Sequence, residues 1–143
     1  MLRKLVIILL TFTALSGFGE NFIVSHKSCK ILGQISDRTG HSDLYEVLEK
    51  ELHLKNFEIS YITPKHVFKK GDLILSLQSE VLKGGLFPPC FVEIAIKEEG
   101  SDKKFFSAGI KRALPRHLSS DNYLCKLAVR DVLYHLPYCQ VRP

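Results

Sequence analysis

The chain has 143 residues, of which 45% are hydrophobic, and a formal net charge of +5. The apolar content excludes an intrinsically disordered protein, and the length suits one ordinary domain. The charge excess is too small for the basic footprint of a nucleic-acid-binding domain, so we expect no nucleic-acid partner.

The first nineteen residues have the pattern of a cleavable export signal. Arg3 and Lys4 precede an apolar run over residues 5–15, and small residues follow at Gly17 and Gly19. A membrane-spanning helix needs about 20 apolar residues, and this run is only eleven residues long and is interrupted by Thr11 and Thr13. The pattern therefore predicts cleavage after residue 19 rather than a membrane anchor.

Cleavage would release residues 20–143 as a single exported domain, either periplasmic or secreted, with no transmembrane span. The segment 14–16 offers a second cleavage site. Loss of the two basic residues of the signal leaves 18 basic side chains against 15 acidic ones, a net charge of +3 instead of +5. Much of the apparent basicity therefore belongs to the signal.

The elements expected in the first half begin with a short strand over residues 21–24. Residues 25–40 are mostly polar, and Ile31, Leu32 and Ile35 fit either a second strand or a turn of helix. Residues 42–55 form the first clear helix, because apolar residues recur at helical spacing from Leu44 to Leu52. An alternating strand follows over residues 57–61.

The second half predicts three strands and a helix. The strands cover residues 72–82, 90–97 and 104–112, and the last two are joined by a short hairpin connection. The helix begins at a cap formed by residues 119–121 and ends at about Leu136, before Pro137.

This order of elements predicts an α+β fold. We expect a two-layer sandwich with a mainly antiparallel sheet of about four or five strands, covered on one face by both helices. The opposite face of the sheet should be wetter, because it carries Glu58, Ser60, Glu93 and Lys97.

Four cysteines follow the signal, and an even number in an exported chain predicts two disulfides. They are Cys29, Cys90, Cys125 and Cys139. Cys125 lies near the start of the last predicted helix, whose eleven following residues rise about 16 Å. A disulfide needs its Cα atoms within about 7 Å. We therefore disfavour a Cys125–Cys139 bond and expect Cys29 and Cys90 each to pair with one of these two.

No motif in the sequence specifies catalysis, so no catalytic residue and no cofactor is predicted. The pairs His26 with Cys29 and His135 with Cys139 have spacings that could chelate zinc. The export signal favours disulfides over zinc, because thiols are oxidised outside the cytoplasm.

Two segments are candidates for partner contact. Lys111 and Arg112 end the last predicted strand and Arg116 follows it, and these cations could bind an anionic surface, although cations also commonly protect a solvated sheet edge. Leu86 and Phe87 lie between flexible glycines and stiff prolines. They would anchor a partner if exposed, but we expect them to be buried beside Cys90.

These features predict a small exported interaction module, held together by disulfides, that binds a protein or a cell-envelope component. One alternative is a small hydrolase-like enzyme with an unrecognised site, which a deep pocket with converging polar groups would indicate. The other is a carrier of lipids or small molecules, which a long apolar cavity would indicate.

Overall fold

The computed structural model describes residues 23–37, 43–63, 65–82, 85–102, 104–114 and 120–143. The predicted export signal and Arg116 lie outside these ranges. Two helices and seven strands follow in chain order: β1 (Ile23–His26), β2 (Lys30–Asp37), α1 (Asp43–Leu54), β3 (Glu58–Tyr61), β4 (Leu73–Val81), β5 (Cys90–Glu98), β6 (Lys104–Arg112), α2 (Asp121–Tyr134) and β7 (Tyr138–Val141). No helix in the described ranges is long and apolar enough to cross a membrane.

Both helices form where the apolar spacing predicts them. Leu44, Leu48 and Leu52 recur every four residues and are buried on one side of α1. In α2, the side chain of Ser120 accepts a hydrogen bond from the backbone N–H of Tyr123, which satisfies one of the orphan donors of the first turn. The helices cover neighbouring parts of one sheet face, with α1 packed against β3 and α2 against β4, β5 and β6.

The main sheet has five strands in the order β3-β2-β4-β5-β6. Strands β4, β5 and β6 form an antiparallel meander, whereas β2 runs parallel to both β3 and β4. The α+β class is confirmed, but the mainly antiparallel character is not, because the sheet is mixed. The prediction missed this because residues 30–37 insert as a central strand between β3 and β4.

Alternation along the strands separates a buried face from a polar one. Leu73, Leu75 and Leu77 of β4 are buried beneath the helices, in register with the buried Ile94 and Ile96 of β5. Each fully buried Leu or Ile contributes about 1.5–3 kcal/mol relative to exposure.

The opposite face is polar, as predicted. Glu58, Ser60 and Lys97 are exposed and Glu93 is half-buried, whereas Ile74 is buried on this face.

A second, two-stranded sheet joins the ends of the described chain. Strand β7 pairs parallel to β1, with Val24 opposite Cys139. The sequence pattern did not predict β7, because only one of its four side chains, that of Cys139, is buried. Helix α2 ends at Tyr134 rather than near Leu136, so the chain turns before this strand begins.

Two disulfides connect distant segments, as predicted. Cys29 is bonded to Cys139 across 110 residues, and Cys90 to Cys125 across 35 residues. The first bond ties the start of β2 to β7. The second ties the start of β5 to α2 and is completely buried. The disfavoured Cys125–Cys139 pairing does not occur.

Candidate functional site

The connection between β4 and β5 presents the two apolar residues that the sequence analysis singled out. Leu86 is 79% exposed and Phe87 is 54% exposed, so the expected burial is wrong. Among the described residues of this connection, Pro88 is buried. Cys90, the first residue of β5, is buried as well. These two residues hold the end of the connection and leave Leu86 and Phe87 in solvent. We call the described residues of this connection, 82 and 85–89, the apolar loop.

The apolar loop is closed at its base by backbone contacts. The N–H of Leu82 donates to the carbonyl of Pro89 at 2.9 Å, which continues the pairing of Val81 with Cys90. Gly85 has a φ of +78°, a left-handed conformation that glycine adopts at little cost. The two exposed apolar side chains therefore stand on a firmly attached base.

Two of the predicted cations lie at the same end of the sheet. Lys111 is opposite Phe91 and Arg112 is opposite Cys90, so both are on the strand next to the base of the apolar loop. Both side chains are exposed. Arg112 Nε pairs with the Asp131 carboxylate of α2, which partly neutralises this end of β6. Arg116, the third predicted cation, lies outside the described residues.

The zinc interpretation of the histidine–cysteine pairs is wrong. The fold does bring Cys29 and Cys139 together, but their sulfur atoms are bonded to each other. In the described ranges, no three side chains of the metal-binding types His, Cys, Asp and Glu converge. His26 is buried, with Nδ1 2.6 Å from the Ser28 carbonyl and its ring edge-on to Phe105. Its surroundings are those of a packed core histidine.

A groove that was not predicted from the sequence lies between α1 and β3. We call it the β3 groove, and it has a volume of about 890 Å³. Its lining comprises Glu46, Glu49, Lys50, His53, Phe57, Glu58, Ile59, Ser60 and Tyr61. Successive side chains of a strand point to opposite faces of the sheet. All four residues of β3 line the groove, so the groove runs along the outer edge of this strand and not along one face. The one feature of the sequence that could have indicated this groove was the polar face of α1.

The β3 groove is acidic, with three carboxylates facing one lysine and one histidine. Burial, reinforced by a hydrogen bond to Glu49, raises the pKa of the Tyr61 hydroxyl well above its ordinary value. The ring of Tyr61 also packs edge-on against Tyr45 at a centroid distance of 5.6 Å. The tyrosine therefore keeps its proton to a higher pH than an ordinary tyrosine and donates it in the hydrogen bond to Glu49.

No family model and no curated protein sequence matches this chain. Solved structures with similar folds exist. The PelC dodecamer from Paraburkholderia phytofirmans has 15% identity and a TM-score of 0.57, over 82% of this chain and 90% of that one. A point variant of the same PelC gives 16% identity and a TM-score of 0.52, over 76% and 84% of the two chains.

A minor lipoprotein from Acinetobacter baumannii aligns with a TM-score of 0.43 and 15% identity, over 78% of this chain and 89% of that chain. The PelC similarity shows that the two chains share an α+β fold. At these identities the resemblance concerns the fold alone.

Proposed function

We propose that the chain is an exported interaction module that binds a protein or another component of the cell envelope through the apolar loop. The exposure of Leu86 and Phe87 carries this proposal. Neighbouring large apolar side chains on a protein surface gain free energy when a partner removes them from water. Because the base of the loop is fixed by Pro88 and Cys90, little conformational entropy is lost on binding.

The surroundings of the loop favour a partner with negative charge. Lys111 and Arg112 lie on the adjacent strand at the same end of the sheet, and no described residue of β6 is acidic. Apolar side chains beside cations suit either an acidic protein surface or the interface of an anionic membrane. The two disulfides and the export signal of the sequence support an oxidising compartment, the periplasm or the medium.

The test replaces both loop residues, as Leu86→Ser with Phe87→Ser, in the exported chain with its disulfides intact. Val67→Ser is the matched control, because Val67 is 81% exposed on a different connection. Each protein is immobilised and exposed to a detergent extract of the envelope of the exporting cells. Each is also mixed with vesicles of phosphatidylglycerol or of phosphatidylethanolamine.

We expect the loop variant to lose at least about tenfold in binding to one of these probes, while the Val67 variant binds as the parent does. Capture of a protein would identify a protein partner. Binding to phosphatidylglycerol vesicles that weakens with salt would identify an anionic membrane surface. Equal binding by the parent and the loop variant, or no binding to any probe, would overturn the proposal.

A second candidate function is a scaffold built from several copies of the chain. It is supported by the PelC structures, which share the fold and are dodecamers. Measurement of the molar mass of the purified exported chain by light scattering tests it directly. A mass that rises with concentration supports the scaffold, and a monomer at every concentration excludes it.

A further inference from the structure

The two edges of the main sheet differ in charge. Strand β3 is one edge and β6 is the other. The sequence of β6 has three cations and no acidic residue, whereas the β3 groove has one carboxylate from β3 and two from α1, with one lysine and one histidine. Lysines alone on an edge would only discourage aggregation. Because the opposite edge of the same sheet is acidic, the basic edge of one copy is complementary in charge to the acidic edge of another copy.

We infer that copies of this chain associate head to tail, with β6 of one copy docked against β3 in the β3 groove of the next. This inference rests on the proposed scaffold function, and it assigns β6 and the β3 groove as the two surfaces through which the copies bind each other. The outer edge of a terminal strand offers unpaired backbone N–H and C=O groups. Pairing two such edges continues the sheet from one copy to the next.

The match extends to both faces of the sheet. On the polar face, β6 presents Lys104 and Lys111, and β3 presents the exposed Glu58. On the helix face, β6 presents the half-buried Ala108 and Ile110, which are in register with the buried core residues of β5. Lys104 and Lys111 are about 23 Å apart along the strand, so continuation of the sheet places one of them near Glu58 on one face and apolar side chains near the groove on the other.

The helix face of β3 has matching apolar surface. Ile59 is half-buried and Tyr61 is 45% exposed, and both share a face with the buried Ile31 through the pairing of β2 with β3. Docking of Ala108 and Ile110 beside them would complete burial on both strands. Contacts between different surfaces of identical chains are heterologous, so they close into a ring or extend into a filament.

Charge reversal tests this assignment. Variant one carries Glu58→Lys with Glu46→Lys at two exposed positions of the groove, which leaves one carboxylate against three lysines, so its two edges are then both basic. Variant two carries Lys104→Glu with Lys111→Glu, and its two edges are then both acidic. Lys97→Glu is the control, because Lys97 is exposed on the same polar face but belongs to the inner strand β5. Molar mass is measured by light scattering over a range of concentrations.

We expect the parent and the Lys97 variant to associate equally. Each edge variant alone should have a dissociation constant at least about tenfold higher, because like charges face each other. Mixing the two edge variants should restore association, since each basic edge then meets an acidic one. Circular dichroism on each variant checks that the fold is retained.

The possible failures point to different conclusions. Association of the parent that neither edge variant weakens, or that mixing does not restore, overturns the edge assignment and leaves the scaffold standing. A monomeric parent overturns both. Replacement of Leu86 and Phe87 should leave association unchanged, so the test is separate from that of the apolar loop.

Discussion

The ammonium group of Lys55 lies 4.4 Å from the centre of the Tyr138 ring, while its Nζ donates to the carbonyl of Tyr134 at 3.1 Å. The backbone carbonyl of the same lysine accepts from the N–H of Cys139 at 2.9 Å. Lys55, the residue that follows α1, therefore contacts both the end of α2 and the start of β7. Lys55→Gln should lower the free energy of unfolding by about 1 kcal/mol, because it removes a cation–π contact and a cation at a helix C-terminus.

Urea unfolding of four proteins measures this interaction: the parent, Lys55→Gln, Tyr138→Leu and the double variant. We expect a coupling energy of about 0.5–1 kcal/mol between the two residues. Lys65→Gln, at an exposed lysine of the β3–β4 connection, is the control and should change little. A coupling near zero would show that the cation–π contact adds nothing to stability, and any loss in Lys55→Gln would then belong to the hydrogen bond with the Tyr134 carbonyl.

The disulfides should differ in what they stabilise. The Cys29–Cys139 bond spans 110 residues and the Cys90–Cys125 bond spans 35. Chain entropy alone assigns them about 4–5 and about 3–4 kcal/mol respectively. Cys29→Ala with Cys139→Ala should accelerate amide hydrogen exchange in β1 and β7 far more than in β5.

The opposite pattern is expected when the buried bond is removed. Cys90→Ala with Cys125→Ala should accelerate exchange in β5 and α2 while the pairing of β1 with β7 persists. Identical exchange profiles for the two double variants would mean that the domain opens only as a whole.

Gly33 of β2 lies under two side chains of β3. A Cβ atom at this position would approach Ile59 Cδ1 to 3.0 Å and Tyr61 Cδ1 to 3.1 Å. Gly33→Ala should therefore cost about 1–2 kcal/mol through overpacking. Ile59→Val removes Cδ1 and should recover part of that cost in thermal or urea unfolding.

Gly109 provides the matched control for this prediction. It lies on β6, where an added Cβ would meet its nearest atoms at an ordinary contact distance of 3.5 Å. Gly109→Ala should be neutral or slightly stabilising, because alanine loses less backbone entropy than glycine. Equal destabilisation at both positions would argue against overpacking as the cause.

The Tyr61 hydroxyl makes stability depend on alkaline pH. Burial and the Glu49 hydrogen bond raise its pKa in the folded chain. The folded state therefore keeps this proton at a pH where the unfolded chain, with a tyrosine pKa of about 10, releases it. Its contribution is fully present below pH of about 10 and is lost as the pH rises through the folded pKa.

Tyr61→Phe should flatten the decline in stability above pH of about 10 relative to the parent. Urea unfolding at about four pH values between roughly 8 and 11 measures how steeply the free energy of unfolding declines with pH. Tyr123→Phe is the control, because Tyr123 is 51% exposed and should leave the decline unchanged. A parent slope that Tyr61→Phe does not alter would assign the alkaline sensitivity to another group.

Local signals in the sequence were sufficient for the helices and for the meander. The cap at Ser120 and the repeat of Leu44, Leu48 and Leu52 act within a few residues, so they are readable without the fold. The neighbouring strands β4 and β5 are joined by a short connection, which favours antiparallel pairing.

Non-local pairing was not predictable in the same way. The position of β2 between β3 and β4 depends on contacts such as Ile31 with Leu73, more than 40 residues apart. Strand β7 depends on β1, at the other end of the described chain. The β3 groove combines a helix face with a strand edge, and neither pattern alone indicates a cavity. Leu86 and Phe87 were identified as candidates, but their exposure depended on the packing of Pro88.

The bond between Cys29 and Cys139 also determines how the domain would respond to a mechanical load. Tension on the segment ahead of Ile23 can draw out only β1 and the residues up to Cys29. There the load divides between β2 and, through the sulfur atoms, β7. The apolar loop lies at the far end of the sheet, where β2 and β4 finish. A pull at the start of the described chain would therefore have to detach a central strand before it could unfold that loop.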